Sequence, residues 1–152
     1  GHSKDVISLE FFKEDRLLAS GSEDKNVVIW DMASQEAITT LSEHTDYVNA
    51  LAYLRLSDRL ISGSDDKTVK LWKLSRYRFP ASLSGHMSSI RSLSLSHDNK
   101  RLISASKEGT IIVWDVENRV EVCRLEGSSN TITAVALVAD HRYALAASSE
   151  GQ

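Results

Sequence analysis

The sequence predicts an all-β fold built from repeated four-stranded sheets, and three observations lead there. Trp30, Trp72 and Trp114 stand 42 residues apart, as do His2, His44 and His86. Self-similarity at a fixed interval of this size marks a repeat architecture. Between those residues "LASGSEDKNVVIWDM", "LISGSDDKTVKLWKL" and "LISASKEGTIIVWDV" align without a gap. Within each copy the apolar residues fall into four clusters of strand length, separated by polar turn chemistry. The copies occupy residues 1–42, 43–84 and 85–126, and a fourth, 127–152, stops before its Trp.

The first strand of each copy reads "VISLEF" (6–11), "VNALAY", "IRSLSL" and "ITAVAL". The second reads "LLASGS", the third "VVIW", and the fourth "AITTL", with "FPASL" and "EVCRL" as counterparts. Between the second and third strands lie Glu23 to Asn26, Asp65 to Thr68 and Lys107 to Thr110, turns short enough to close antiparallel hairpins. Pro80 falls at the start of a fourth strand, an edge position where no ladder donor is needed. Val27, Val28, Ile29 and Trp30 are apolar in succession, the pattern of a strand covered on both faces. Four antiparallel strands per unit, each sheet sandwiched between two others, is radial packing into a propeller.

Composition narrows the function classes. With 41% apolar and 26% charged residues the chain has the balance of a globular protein. Its net charge of −3 comes from interspersed acids and bases, so neither a nucleic-acid partner nor a membrane partner is expected. No stretch approaches the roughly 18 apolar residues of a membrane span, and the first residues show neither the charged nor the apolar region of a signal peptide. A single cysteine, Cys123, permits no internal disulfide, which fits a reducing, intracellular compartment, cytoplasmic or nuclear.

The repeat signature resembles that of the WD-repeat β-propellers, which carry Gly-His near the start of a repeat and Trp-Asp at the end of its third strand. Here it reads Gly1-His2 with Trp30-Asp31, Glu43-His44 with Trp72-Lys73, and Gly85-His86 with Trp114-Asp115. The chain departs from the pattern at Glu43, at Lys73 (read as a tolerated surface change) and at Ser128, which stands where the fourth His would be. The resemblance implies three complete blades and part of a fourth, a segment of a larger, seven-bladed propeller. It also implies a structural tetrad in each complete repeat: His2, Ser20, Asp24 and Trp30; His44, Ser62, Asp66 and Trp72; His86, Ser104, Glu108 and Trp114. The chemistry suits the assignment. An indole N–H needs an acceptor, a hydroxyl accepts and passes a donor onward, an imidazole does both, and a carboxylate ends the chain. Repeat four offers Ala146 and Glu150 with Ser128, so its network is expected to be incomplete.

Ser, His and Asp in one bonded group also suggest a hydrolase triad. Repetition argues against it, because an active site is built once whereas this set recurs, and no nucleophile elbow, P-loop, dinucleotide fingerprint or metal-ligand spacing is present. No catalytic residue, metal or cofactor is therefore expected. His97 and His141 fall in first-to-second-strand turns as exposed imidazoles. In this family the partner-binding face is usually the rim around the central channel. Positions three and five residues beyond each His give Asp5 and Ile7, Tyr47 and Asn49, Ser89 and Arg91, and Thr131 and Thr133. The residues before the turn acids add Glu23, Asp65, Lys107 and Ser149. Tyr47 and Arg91 stand out as residue types that dominate binding hot spots. The basic turn "SRYRF" (75–79) has non-basic counterparts, "ASQEA" and "ENRVE", and reads as a solvated turn.

The expected function is a non-catalytic scaffold that binds partner proteins or peptides on the propeller face. The alternative is a regulatory or sensor arc of a larger multidomain enzyme or NTPase. An arc of this size leaves an apolar sheet face at each end, to be covered by the remaining blades of a longer chain or by self-association.

Overall fold

The computed structural model describes residues 1–75, 80–126, 130–138 and 143–149. Strands β1 (Val6–Phe12), β2 (Leu17–Ser22), β3 (Val27–Asp31) and β4 (Glu36–Leu41) form one sheet in chain order. The second contains β5 (Val48–Leu54), β6 (Arg59–Ser64), β7 (Thr68–Lys73) and β8 (Ala81–Ser84), with a 3-10 turn at Arg55–Ser57. The third contains β9 (Ile90–Leu95), β10 (Arg101–Ser106), β11 (Thr110–Asp115) and β12 (Val120–Glu126), and β13 (Ile132–Val138) pairs with β14 (Tyr143–Ser148). All pairings are antiparallel. The first strands of successive sheets pack side by side, β1 on β5, β5 on β9 and β9 on β13, so they form the inner wall of the arc. Pro80 sits immediately before β8, the edge strand of its sheet.

The core lies in the seams between sheets. Trp72 and Leu60 pack with Phe12, Ala19, Val27 and Ile29 of the preceding sheet. Trp114 and Leu102 likewise pack with Leu54, Ile61, Val69 and Leu71, and a third cluster joins Ile103 and Ala105 to Ile132 and Val135. Val27, Val28 and Ile29 are all buried, as a doubly covered strand requires. The seams are close: a Cβ at Gly63 would lie 2.7 Å from Ile90 Cγ2, so a hydrogen there admits the neighbouring inner strand. Each tryptophan faces the preceding sheet. Trp72 and Trp114 are 2% and 3% exposed, whereas Trp30, with no sheet before it, is only half-buried. That open face also carries Leu9 and Phe11, and exposed Tyr143 and Leu145 lie on β14 at the other end.

Candidate functional site

Two arrangements recur in the repeats, one inside the seams and one on the rim. In the first repeat Trp30 Nε1–H donates to Ser20 Oγ at 2.8 Å, and Ser20 Oγ–H donates to His2 Nε2 at 2.7 Å. His2 Nδ1–H then donates to Asp24 Oδ2 at 2.8 Å. The second repeat repeats the chain through Trp72, Ser62, His44 and Asp66 at 2.8, 2.6 and 2.7 Å. With Nε2 accepting from the serine, a ring proton on Nδ1 faces the carboxylate. Sheet register puts the participants together: Ser20 lies across β3 from Val28 and Leu18 from Trp30, so hydroxyl and indole share one face.

Each turn acid is fastened from several sides. Asp24 accepts from Ser3 N and Asn26 N, and Asp66 from Thr45 N, Thr68 N and Thr68 Oγ1. Burial raises the Asp24 carboxyl, but the Ser3 N–H, the His2 imidazole and the Asn26 N–H outweigh it and hold its pKa at about 2. Asp66 is shifted in the same direction, where the His44 and Thr68 bonds overcome burial.

The third repeat departs from the expected tetrad. Trp114 donates to Ser104 at 2.8 Å and Ser104 bonds His86 Nε2 at 2.7 Å. The added methylene of Glu108 then carries its carboxylate to Met87 N, at 2.9 Å, and leaves Oε1 3.5 Å from His86 Nδ1. That nitrogen is buried without a hydrogen-bond partner. Burial pushes the His86 imidazole below its ordinary value, against the upward pull of Glu108. In the fourth repeat Ser128 and Glu150 lie outside the described residues, as do His141 and residues 76–79 of the basic turn, and Ala146 is exposed on β14. His97 is exposed in the β9–β10 turn.

The rim is built by the backbone. Glu23 N donates to Asp5 O, Asp65 N to Tyr47 O, Lys107 N to Ser89 O, and Ser149 N to Thr131 O, at 2.9 to 3.0 Å. One bond per repeat thus ties the residue before the turn acid to the start of the inner strand. Each inner strand then bulges at the same place, leaving Ile7, Asn49, Arg91 and Thr133 without a cross-strand partner. A bulge re-aims its side chain, so these four leave the regular alternation of the sheet.

Their fates differ. Ile7 and Thr133 are exposed, and Thr133 Oγ1 donates to Ala147 O. Asn49 is buried: its Nδ2 donates to Asp65 Oδ1 at 2.5 Å and to Ile90 O at 2.8 Å, so it braces two inner strands from below instead of offering a contact. Arg91 stays partly open, with Nη1 3.7 Å from Asp65 Oδ1. Tyr47 is half-buried under Lys4, whose Nζ lies 5.6 Å from the ring centroid. Lys4 and Lys25, whose Nζ reaches Thr45 O at 2.9 Å, fall outside the positions three and five residues beyond each His and those before the turn acids; Lys25 has a counterpart in Lys67, whereas Lys4 has none.

Among the described residues no three His, Cys, Asp or Glu side chains are grouped to hold a metal, and no helix is long and apolar enough to cross a membrane.

The sequence profile of the WD40 family (WD domain, G-beta repeat) matches residues 1–31, 35–73 and 78–115, most of the chain. Protein FIZZY-RELATED 3 of Arabidopsis thaliana is 40% identical over 53 residues, 35% of this chain and 11% of the relative. Mitochondrial division protein 1 of Schizosaccharomyces pombe is 43% identical over 51 residues, 34% and 8% of the two chains. Pre-mRNA-processing factor 19 of Oryza sativa subsp. japonica is 43% identical over 54 residues, 34% and 10%. The matched stretch spans about a tenth of the length of these relatives. With three matched repeats, three four-stranded antiparallel sheets and a two-stranded fourth, the chain belongs to the WD40 family and is a segment of a WD-repeat β-propeller.

Proposed function

We propose that the chain is part of a non-catalytic scaffold that holds partner proteins or peptides on the rim of its inner strands. The observation that carries this reading is the recurring bond and bulge at the head of each inner strand, which bring chemically different side chains to equivalent places on one edge. Lys4 with Tyr47, Asp65 with Arg91, and exposed Lys107 offer an aromatic face, a forked cation and charges of both signs within a short arc. Repeated serines do not argue for hydrolysis. In three repeats the hydroxyl is occupied by an indole donor on one side and an imidazole on the other, inside a seam.

Further blades of a longer chain are the proposed cover for the two open sheet faces. An intracellular setting is part of the proposal, supported by the exposed free thiol of Cys123. The rim is tested by affinity capture from cell extract with the full-length protein, comparing wild type with a Tyr47→Ala, Arg91→Ala double variant by quantitative mass spectrometry. Specific partners are expected to fall about tenfold or more, since anchor residues of these types carry a large share of interface energy. Partners recovered equally by both proteins would remove this patch from consideration.

A further inference from the structure

The side chains at the Trp-Asp corner differ between repeats in a way that changes local charge. Cross-strand partners there are Leu17 and Asp31 in the first repeat, Arg59 and Lys73 in the second, and Arg101 and Asp115 in the third. In the third, Arg101 Nη1 donates to Asp115 Oδ2 at 2.5 Å, and the guanidinium is neutralised within its own sheet. In the second, Lys73 replaces the acid. Two cations then stand directly opposite each other, and no ion pair among the described residues includes either of them. Like charges across a ladder oppose strand pairing.

The corner opens onto a hollow of about 320 Å3 between the second and third sheets, on the opposite end of the strands from the rim. Arg59 lines it with Leu56, Lys100 and Val116, and Leu56 is 81% exposed. The corresponding place between the first and second sheets is tied across instead, where Lys13 Nζ bonds Asp58 Oδ2 at 3.2 Å and Tyr53 OH bonds Asp58 Oδ1 at 2.9 Å. Two acids also line the hollow. Asp98 accepts from Ser96 Oγ at 2.6 Å and from Lys100 N at 3.0 Å. Glu117 stands exposed at the third sheet's wall.

We propose that this hollow receives an acidic side chain from a segment of a partner protein. The partner's carboxylate takes the place at Arg59 that Asp115 takes at Arg101, and an adjoining apolar side chain rests on Leu56. A guanidinium fork recognises a carboxylate through paired N–H donors, and Lys73, across the ladder from Arg59 and not itself in the lining, leaves that fork without a neutralising acid in its own sheet. Glu117 disfavours a densely charged polyanion, so a peptide with one or two carboxylates fits better than a nucleic acid or a phosphate cluster. This surface goes beyond the rim proposal and fails or survives independently of it.

The test pans a random dodecapeptide phage library on the full-length protein, then measures the selected peptides by fluorescence polarisation. Peptides carrying Asp or Glu beside an apolar residue are expected, binding about tenfold or more weaker to Lys73→Asp, in which the acid returns to the sheet and neutralises Arg59 as in the third repeat. Arg59→Leu should lose them too, while Lys73→Arg and the Tyr47→Ala, Arg91→Ala variant should retain them. Because Lys73 is exposed and its exchange for Asp removes a like-charge pair, that variant is expected to stay folded, which its melting curve checks. A library without acidic enrichment, or acidic peptides that bind Lys73→Asp undiminished, overturns the proposal.

Discussion

Replacing His44 by alanine separates the two halves of a sealed network, and its cost can be worked from neighbouring atoms. Ser62 is fully buried and still accepts from Trp72, but its hydroxyl proton loses the only acceptor it has in the network. A buried donor left unpaired costs about 1–3 kcal/mol. Asp66 keeps Thr45 N, Thr68 N and Thr68 Oγ1, so it is not stranded, but it loses a charge-assisted bond worth about 1.5–3 kcal/mol. The expected loss for His44→Ala is therefore about 2.5–6 kcal/mol. His86→Ala provides an internal reference. His86 also serves a buried serine, Ser104, but its Nδ1 makes no hydrogen bond, so only the first contribution applies and the loss should be about 1–3 kcal/mol. Urea unfolding of the full-length protein with each variant measures the difference as a shift in midpoint. Equal losses, or an unchanged midpoint for His44→Ala, would show that the imidazole–carboxylate bond does not hold the blade.

Shortening Glu108 to Asp should stabilise the protein by about 1–2 kcal/mol, because the turn keeps the same left-handed residue (Gly109, φ 83°, against Lys25 and Lys67 at 74° and 70°) and the shorter acid can reach His86 Nδ1. A melting temperature at or below wild type would count against that geometry. Acid titration of stability should show two declines of known sign. His86 is held neutral by burial, so the unfolded chain takes up that proton first as pH falls below about 6.5, and stability drops from there until the folded group also titrates; His86→Gln should reduce this decline. Asp24, depressed to about 2 in the folded chain, contributes stability above about pH 4 that is lost as pH falls toward 2, and Asp24→Asn should flatten that second limb in melting curves.

The strands and their order were legible because the pattern was written three times. A period of 42 with gapless alignment leaves little freedom for strand placement, and the observed β1, β6 and β11 differ from the readings only at their ends. The tetrad partners were reachable through family resemblance and hydrogen-bond chemistry in two repeats. In the third, residue type alone suggested an acid in place. One methylene decided that Glu108 caps Met87 N instead of His86. The rim was legible as positions but not as roles. Spacing placed Asn49 and Arg91 at equivalent sites, and only packing shows that one is buried across the seam while the other remains open.

By itself the sequence determined the repeat, the strands and the turns, since these follow from short-range periodicity and turn chemistry. Tertiary structure decided what depends on contacts between sheets: the depth of Trp72 against that of Trp30, the bracing role of Asn49, and the charge of Arg59, which stands opposite Lys73 with no ion pair among the described residues. The physical reason is that burial and charge pairing belong to two neighbouring surfaces at once, and a linear pattern describes only one of them.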